Sequence, residues 1–178
     1  MKRSIFVPVV TIALSAAILF GASMALRGAA VENGRKEHLQ IMQTLLPGST
    51  EFTVEPYAGD DENIISVHKA ENGFVIETVT RGYVDEIRML IGVSNDGKVT
   101  GLVVRDLSET FGLGAQALTD TDFLAQFLNT SGEAEVGSTV DALTGATVTS
   151  KAITRAVNSA VAYVTGADAS SGATSWGG

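Results

Sequence analysis

The sequence predicts an α+β protein in which an N-terminal transmembrane helix leads into one small antiparallel-sheet domain with packed helices. Three observations predict it. An uncharged apolar run extends from Ser4 to Leu26, apolar residues recur at every second position between Thr50 and Asp106, and a 3.6-residue periodicity runs from Thr149 to Thr165. The expected divisions are a cytoplasmic N-terminus at 1–3, a transmembrane helix at 4–26, a connecting helix at 27–48, a sheet-containing domain at 49–165 and a flexible tail at 166–178.

Ser4 to Leu26 carries no charge and is dominated by Ile, Val, Leu, Ala and Phe. At about 1.5 Å per residue it is long enough to cross a hydrocarbon core of roughly 30 Å. Lys2 and Arg3 precede it, so the positive-inside rule keeps the N-terminus in the cytoplasm and sends everything after Arg27 to the extracytoplasmic side. The small residues at the end of the run also suit a cleaved signal peptide, but the run exceeds a usual signal-peptide core, which favours an uncleaved anchor.

From Glu32 to Leu46 the chain turns polar and stays helical. Leu39, Met42, Leu45 and Leu46 recur at helical spacing, and Pro47-Gly48 stops the run. The periodicity then changes to two. Ile65 and Val67, then Phe74, Ile76 and Thr78, then Ile87, Met89, Ile91 and Val93 read as half-buried strands. Glu71-Asn72-Gly73 and Asn95-Asp96-Gly97 suit hairpins that need a positive φ.

Composition excludes several chemistries. There is no cysteine, hence no disulfide, no thiolate-ligated iron–sulfur cluster and no cysteine catalysis. His38 and His68 lie far apart without ligand spacing, so both are read as surface residues and no metal site is expected. A net charge of -8 argues against a nucleic-acid partner, which requires clustered Lys and Arg. No Rossmann-type Gly-rich strand–helix unit is present, so NAD binding is not expected.

The most informative stretch is Asp141-Ala-Leu-Thr-Gly-Ala-Thr-Val-Thr-Ser-Lys151. It opens with an acid, turns at a glycine and runs into a helix whose apolar face holds Ile153, Val157, Ala160, Val161 and Val164. Lys151, Thr154, Arg155 and Asn158 fall on the opposite face. Thr147 therefore sits at a helix N-terminus, where unpaired N–H groups and the helix dipole favour an anion such as phosphate. Gly145 and Ala146 let a large ligand approach the backbone, and Thr144, Thr147, Thr149 and Ser150 offer four hydroxyls. Thr149 or Ser150 as a simple helix cap is the plainer reading, although it leaves Thr144 to Thr147 unexplained.

Thr144-Gly-Ala-Thr-Val-Thr-Ser150, preceded by Asp141, resembles the flavinylation motif of the FMN-binding domain family. The G subunit of the Rnf electron-transport complex and the C subunit of the sodium-pumping NADH:quinone reductase belong to it. The resemblance implies covalent FMN, held by a phosphoester to Thr147 and installed by a flavin transferase that uses FAD as donor. It also implies Thr144, Gly145, Ala146, Thr149, Ser150 and Lys151 as neighbours of the cofactor. Tyr83 to Val104 resembles the family's central meander, with Val84-Asp85 where relatives have a glycine.

Ser108-Glu-Thr-Phe-Gly-Leu-Gly114 follows a strand ending near Asp106. Gly-x-Gly alone fits any strand-to-helix connection. Its resemblance to the family's E-T-P-G-L-G loop implies Glu109, Thr110, Leu113 and Gly114 as flavin contacts, with Phe111 in place of the proline. Asp120 to Leu128 reads as a short helix capped by Thr119 or Asp120, with Phe123, Leu124, Phe127 and Leu128 on one face. In the tail, Asp168-Ala-Ser-Ser-Gly-Ala-Thr-Ser175 repeats the D-x-x-S/T-G-A-T string with Thr174 in the acceptor position, in a low-complexity setting without a following helix.

By resemblance, the expected function is electron relay through covalent FMN, within an Rnf-type ferredoxin:NAD oxidoreductase that couples electron transfer to ion translocation. The expected partners are the complex's other membrane and redox subunits, with the flavin transferase during maturation. Two further readings fit the same residues: a stand-alone anchored FMN protein of extracellular electron transfer, and a non-redox anchored binding domain.

Overall fold

The computed structural model describes residues 2–107 and 120–167, the side chains of 2–10, 25, 26, 29, 106 and 107 excepted. The chain divides between Ile41 and Met42 into two compact units. The first is the greater part of α1 (Lys2–Leu45), so the apolar and polar N-terminal stretches form one uninterrupted helix. Ile12, Leu14, Ile18, Leu19, Phe20, Met24 and Val31 are all exposed. At about 100° per residue they point all round the helix and not along one face. Among the described residues no helix is long and apolar enough to cross a membrane; the described side chains cover the expected span at 4–26 only in part. Further along, Glu32 pairs with Arg35 at 3.1 Å and Lys36 at 3.7 Å, exposed ion pairs that add little to stability.

The second unit begins with the last turn of α1. Met42, Leu45 and Leu46 are buried, as their helical spacing predicts. Five strands follow in a meander: β1 (Thr53–Glu55), β2 (Ile64–Ala70), β3 (Gly73–Arg81), β4 (Glu86–Ser94) and β5 (Val99–Leu107). Every neighbouring pair is antiparallel, and the spatial order equals the chain order. Two helices complete the unit, α2 (Thr121–Ala125) and α3 (Thr147–Thr165).

The two-residue period places Ile76, Ile87, Met89, Ile91 and Val93 on one face of the sheet, against Ala152, Ile153, Ala156, Val157 and Ala160 of α3. In β2 the expected pair Ile65 and Val67 is corrected. A register shift between Ile64 and Ser66 turns Ile64 inward beside Val67 and leaves Ile65 exposed. The opposite face of the sheet receives the end of α1. Thr100 Oγ1 donates to the Leu45 carbonyl at 2.5 Å, and Leu45 rests against Gly92 and Gly101.

The hairpins form where expected, for different reasons. Between β4 and β5, Gly97 N–H bonds to Ser94 O at 2.9 Å and Gly97 has φ 78°, the left-handed residue of the four-residue connection 95–98. Between β2 and β3 the expectation of positive φ is corrected: Glu71, Asn72 and Gly73 all keep negative φ. Gly73 is required instead because a Cβ there would strike the Val93 carbonyl on the neighbouring strand. His68, expected at the surface, is half-buried on β2, with Nε2 3.4 Å from Ser66 Oγ.

α2 is shorter than the expected Asp120–Leu128. Asp120 caps it by accepting Phe123 N–H at 2.9 Å, and residues 126–129 continue as turns. Phe123 and Phe127 meet edge to face at 5.4 Å in the core.

Candidate functional site

Leu143, Thr144, Gly145 and Ala146 form a tight turn closed by Ala146 N–H to Leu143 O at 2.9 Å. Gly145 has φ 77° while Thr144 stays at negative φ, the pattern of a type II turn, which requires a residue without Cβ strain at its third position. α3 starts directly after the turn, and Ala146 is its N-cap.

The expectation that Thr149 or Ser150 caps the helix is corrected. No side chain caps α3, and its first turn carries no acid. Thr149 and Ser150 are 1% and 0% exposed, so these two of the four expected hydroxyls do not face an incoming phosphate. Ser150 Oγ accepts Leu143 N–H and donates to Ala146 O, both at 3.0 Å. Thr144, Gly145, Thr147 and Lys151 are exposed, whereas Ala146 is buried beneath the turn. Thr147 is thus the residue that puts a hydroxyl at the open end of the helix, with Thr144 one turn earlier in the chain.

Asp141 is anchored through its backbone. Gln126 Oε1 accepts Asp141 N–H at 2.8 Å, and Gln126 Nε2 donates to Asp141 O at 3.5 Å. The Asp141 side chain is left exposed. The other expected contacts, Glu109, Thr110, Leu113 and Gly114, lie outside the described residues, as do Phe111 and the tail motif around Thr174.

α3 lies along the sheet in a definite direction. Arg155 Nη2, from the middle of the helix, donates to the carbonyl of Arg81, the last residue of β3, at 3.1 Å, while Thr165 meets Gly97 at the far hairpin. The N-terminal half of α3, with Thr147 and Lys151, therefore lies toward the sheet end formed by Arg81 and Glu86. Leu107 pairs with Ile87 at that same end, from which the chain continues into 108–119. Thr147, Lys151 and Arg155 follow at four-residue intervals and share one flank of the helix.

Thr154 and Asn158, expected on the solvent side of α3, are buried at 4% exposure each. The segment around 130–140 covers that flank. Asn158 exchanges two hydrogen bonds with the backbone of Ala134, and Thr154 Oγ1 donates to Ser150 O at 2.9 Å. Periodicity does not signal this, because Thr and Asn buried with their partners read as polar in any count of apolar residues.

Residues 82–162, from the β3–β4 hairpin to the last turns of α3, match the FMN-binding domain. The chain is 34% identical over 145 residues to the G subunit of the ion-translocating oxidoreductase complex of Methanosarcina acetivorans, covering 72% of this chain and 76% of that protein. Against the G subunit of the Na(+)-translocating ferredoxin:NAD(+) oxidoreductase complex of Acetobacterium woodii it is 32% identical over 145 residues, covering 67% and 70%. A shorter match, 38% over 99 residues and about half of each chain (52% and 53%), is to the proton-translocating counterpart of Clostridium ljungdahlii. With the FMN-binding match spanning the turn and the helix start described above, the chain belongs to the G-subunit family of ion-translocating oxidoreductase complexes.

Proposed function

We propose that this protein relays electrons through FMN esterified to Thr147, as a membrane-anchored subunit of an Rnf-type ferredoxin:NAD oxidoreductase that couples electron transfer to ion translocation. The observation that carries the attachment point is the exposed Thr147 at a helix N-terminus with neither a side-chain cap nor an acid in its first turn. A missing cap costs about 1 kcal/mol, and Lys151 one turn on has the wrong sign for a helix start. A phosphoester on Thr147 supplies the anion that both features lack.

Bound there, FMN supplies reversible one- and two-electron chemistry. The chain supplies position. The left-handed Gly145 lets the backbone turn tightly in front of the acceptor, and buried Ala146 keeps side-chain bulk off the approach. Lys151 and Arg155 offer positive charge along the same flank, and the expected contacts Glu109, Thr110, Leu113 and Gly114 come shortly after β5 in the sequence. Thr149 and Ser150 act from beneath, as parts of the fold. A phosphoester leaves the redox ring unmodified and prevents its loss by diffusion.

The anchor is α1. Its described apolar side chains are exposed on all sides, which suits hydrocarbon and not water, and Lys2 and Arg3 before the apolar run support an extracytoplasmic side for the domain at 49–165. Residues 27–48 connect the two, and 166–178 form a tail. The partners are the complex's other membrane and redox subunits, with a flavin transferase acting during maturation.

The test is flavin fluorescence in a denaturing gel, on full-length protein co-expressed with a flavin transferase. Wild type is expected to fluoresce, Thr147→Ala to be dark and Thr174→Ala to match wild type. Fluorescence lost only in Thr174→Ala would move the site to the tail, and a dark wild type would overturn covalent attachment.

A further inference from the structure

We infer that Ser150 is a positioning residue for the modification of Thr147, and that it distinguishes this acceptor from Thr174; the inference rests on Thr147 being the flavin acceptor. A serine inside a helix ordinarily returns its hydroxyl to the carbonyl four residues back. Ser150 does so, donating to Ala146 O at 3.0 Å, and its oxygen also accepts Leu143 N–H at 3.0 Å. Leu143 and Ala146 are the first and last residues of the turn. One fully buried hydroxyl therefore ties both ends of the turn to the first helical turn, across seven residues of chain.

Thr147 lies between the two ends of this clamp, and its hydroxyl leaves a backbone fixed on either side. That matters for the chemistry of attachment. Thr147 Oγ must attack the FMN-side phosphorus of a flavin adenine dinucleotide donor in line with the departing oxygen. A Thr147 Oγ–P bond forms, the P–O bond of the diphosphate breaks, AMP leaves with the bridging oxygen, and the hydroxyl proton passes to a base of the transferase. Reaction in this geometry is sensitive to displacement of the attacking atom, since about 1 Å can cost 10²-fold in rate.

The chain contains its own comparison. Asp141 to Thr147 and Asp168 to Thr174 both satisfy D-x-x-S/T-G-A-T, so the string up to the acceptor does not separate them. Three residues beyond the acceptor, the first copy has Ser150 and the second has Gly177, which has no side chain to close such a clamp. Discrimination thus falls to a residue outside the string.

The experiment measures initial rates of flavin attachment to the full-length chain in detergent, with a flavin transferase and FAD. Rates are read from denaturing-gel fluorescence at several chain concentrations, for wild type, Thr147→Ala, Ser150→Ala and Ser150→Cys. Circular dichroism establishes that each is folded at the assay temperature. The cysteine variant keeps the size but is a poor hydrogen-bonding group, and serves if the alanine variant does not fold. A fall in kcat of at least roughly tenfold, with KM little changed and Thr174 unlabelled, is expected. An unchanged kcat in a folded Ser150 variant, a change confined to KM, or label appearing on Thr174 overturns the inference. A wild type that is not labelled, or labelling that survives Thr147→Ala, instead overturns the assignment of Thr147 and is seen without the Ser150 variants.

Discussion

Asn158 exchanges two hydrogen bonds with Ala134: its Oδ1 accepts the Ala134 N–H at 3.2 Å, and its Nδ2 donates to the Ala134 carbonyl at 2.9 Å. Both residues are buried, at 4% and 3% exposure. The pair ties the segment before the Asp141 turn to the middle of α3, so the flank of the helix away from the sheet is also enclosed. Removing the carboxamide leaves a buried N–H and a buried C=O without partners, each worth about 1–3 kcal/mol. Asn158→Ala is therefore expected to lose about 2–4 kcal/mol in denaturant unfolding. A loss below about 1 kcal/mol would mean that the two bonds do not form in solution.

Gly92 and Thr100 meet at the Leu45 carbonyl on the other face of the sheet. Thr100 Oγ1 donates to it at 2.5 Å, and a Cβ on Gly92 would collide with the same oxygen. Gly92→Ala is expected to cost about 1–3 kcal/mol by forcing the end of α1 off the sheet. Thr100→Val removes only the hydrogen bond and is expected to cost about 1 kcal/mol. Since the two share one acceptor, the double variant should be less destabilised than the sum of the singles. Strict additivity in a denaturant-based double-mutant cycle would contradict this contact.

Much of the fold is legible in the sequence because apolar periodicity reports burial directly. Ile87, Met89, Ile91 and Val93 read as one strand face, and all four are buried there. The failures have local causes. One bulge exchanges Ile64 for Ile65, because a pairing shift of one residue reverses the faces and leaves no mark on composition. Gly73 reads as a turn glycine, yet its role depends on the carbonyl of Val93, 20 positions away. At the site, the turn glycine and the helix start are readable from Thr144 to Thr147. The inward orientation of Thr149 and Ser150 is not, because a hydroxyl reads the same in sequence whether it faces solvent or its own backbone.

Tyr163 makes alkaline stability a test of the aromatic cluster at the C-terminal end of α3. Its ring packs edge to face on Tyr57 and Phe74, each at 5.8 Å, and its hydroxyl donates to Glu55 Oε2 at 3.2 Å. Partial burial, then the hydrogen bond to Glu55 and the nearby carboxylate charge, push the phenol above its ordinary value near 10. A raised pKa means that the folded chain holds this proton more tightly than the unfolded chain does. The stabilisation is complete below pH 10 and is lost as pH rises through the raised value. Wild type should therefore lose Tm more steeply than Tyr163→Phe above pH 10, and equal slopes would place the phenol in contact with solvent.

Gly145 and Gly137 allow backbone strain to be separated from an effect on flavin attachment. Both have left-handed φ, 77° and 88°, so alanine should cost either position about 1–2 kcal/mol. Gly137 has open space around it and lies in the covering segment, whereas Gly145 is the third residue of the turn that leads directly into Thr147. Gly137→Ala and Gly145→Ala are accordingly expected to show similar losses of stability, but only Gly145→Ala should slow attachment of flavin to Thr147. Gly145→Asn should recover part of both losses, since asparagine enters the left-handed region more readily than alanine does. Stability by chemical denaturation and flavin content by denaturing-gel fluorescence decide the matter. If the two alanine variants take up flavin equally, the turn geometry at Gly145 serves the fold alone and the transferase does not read it.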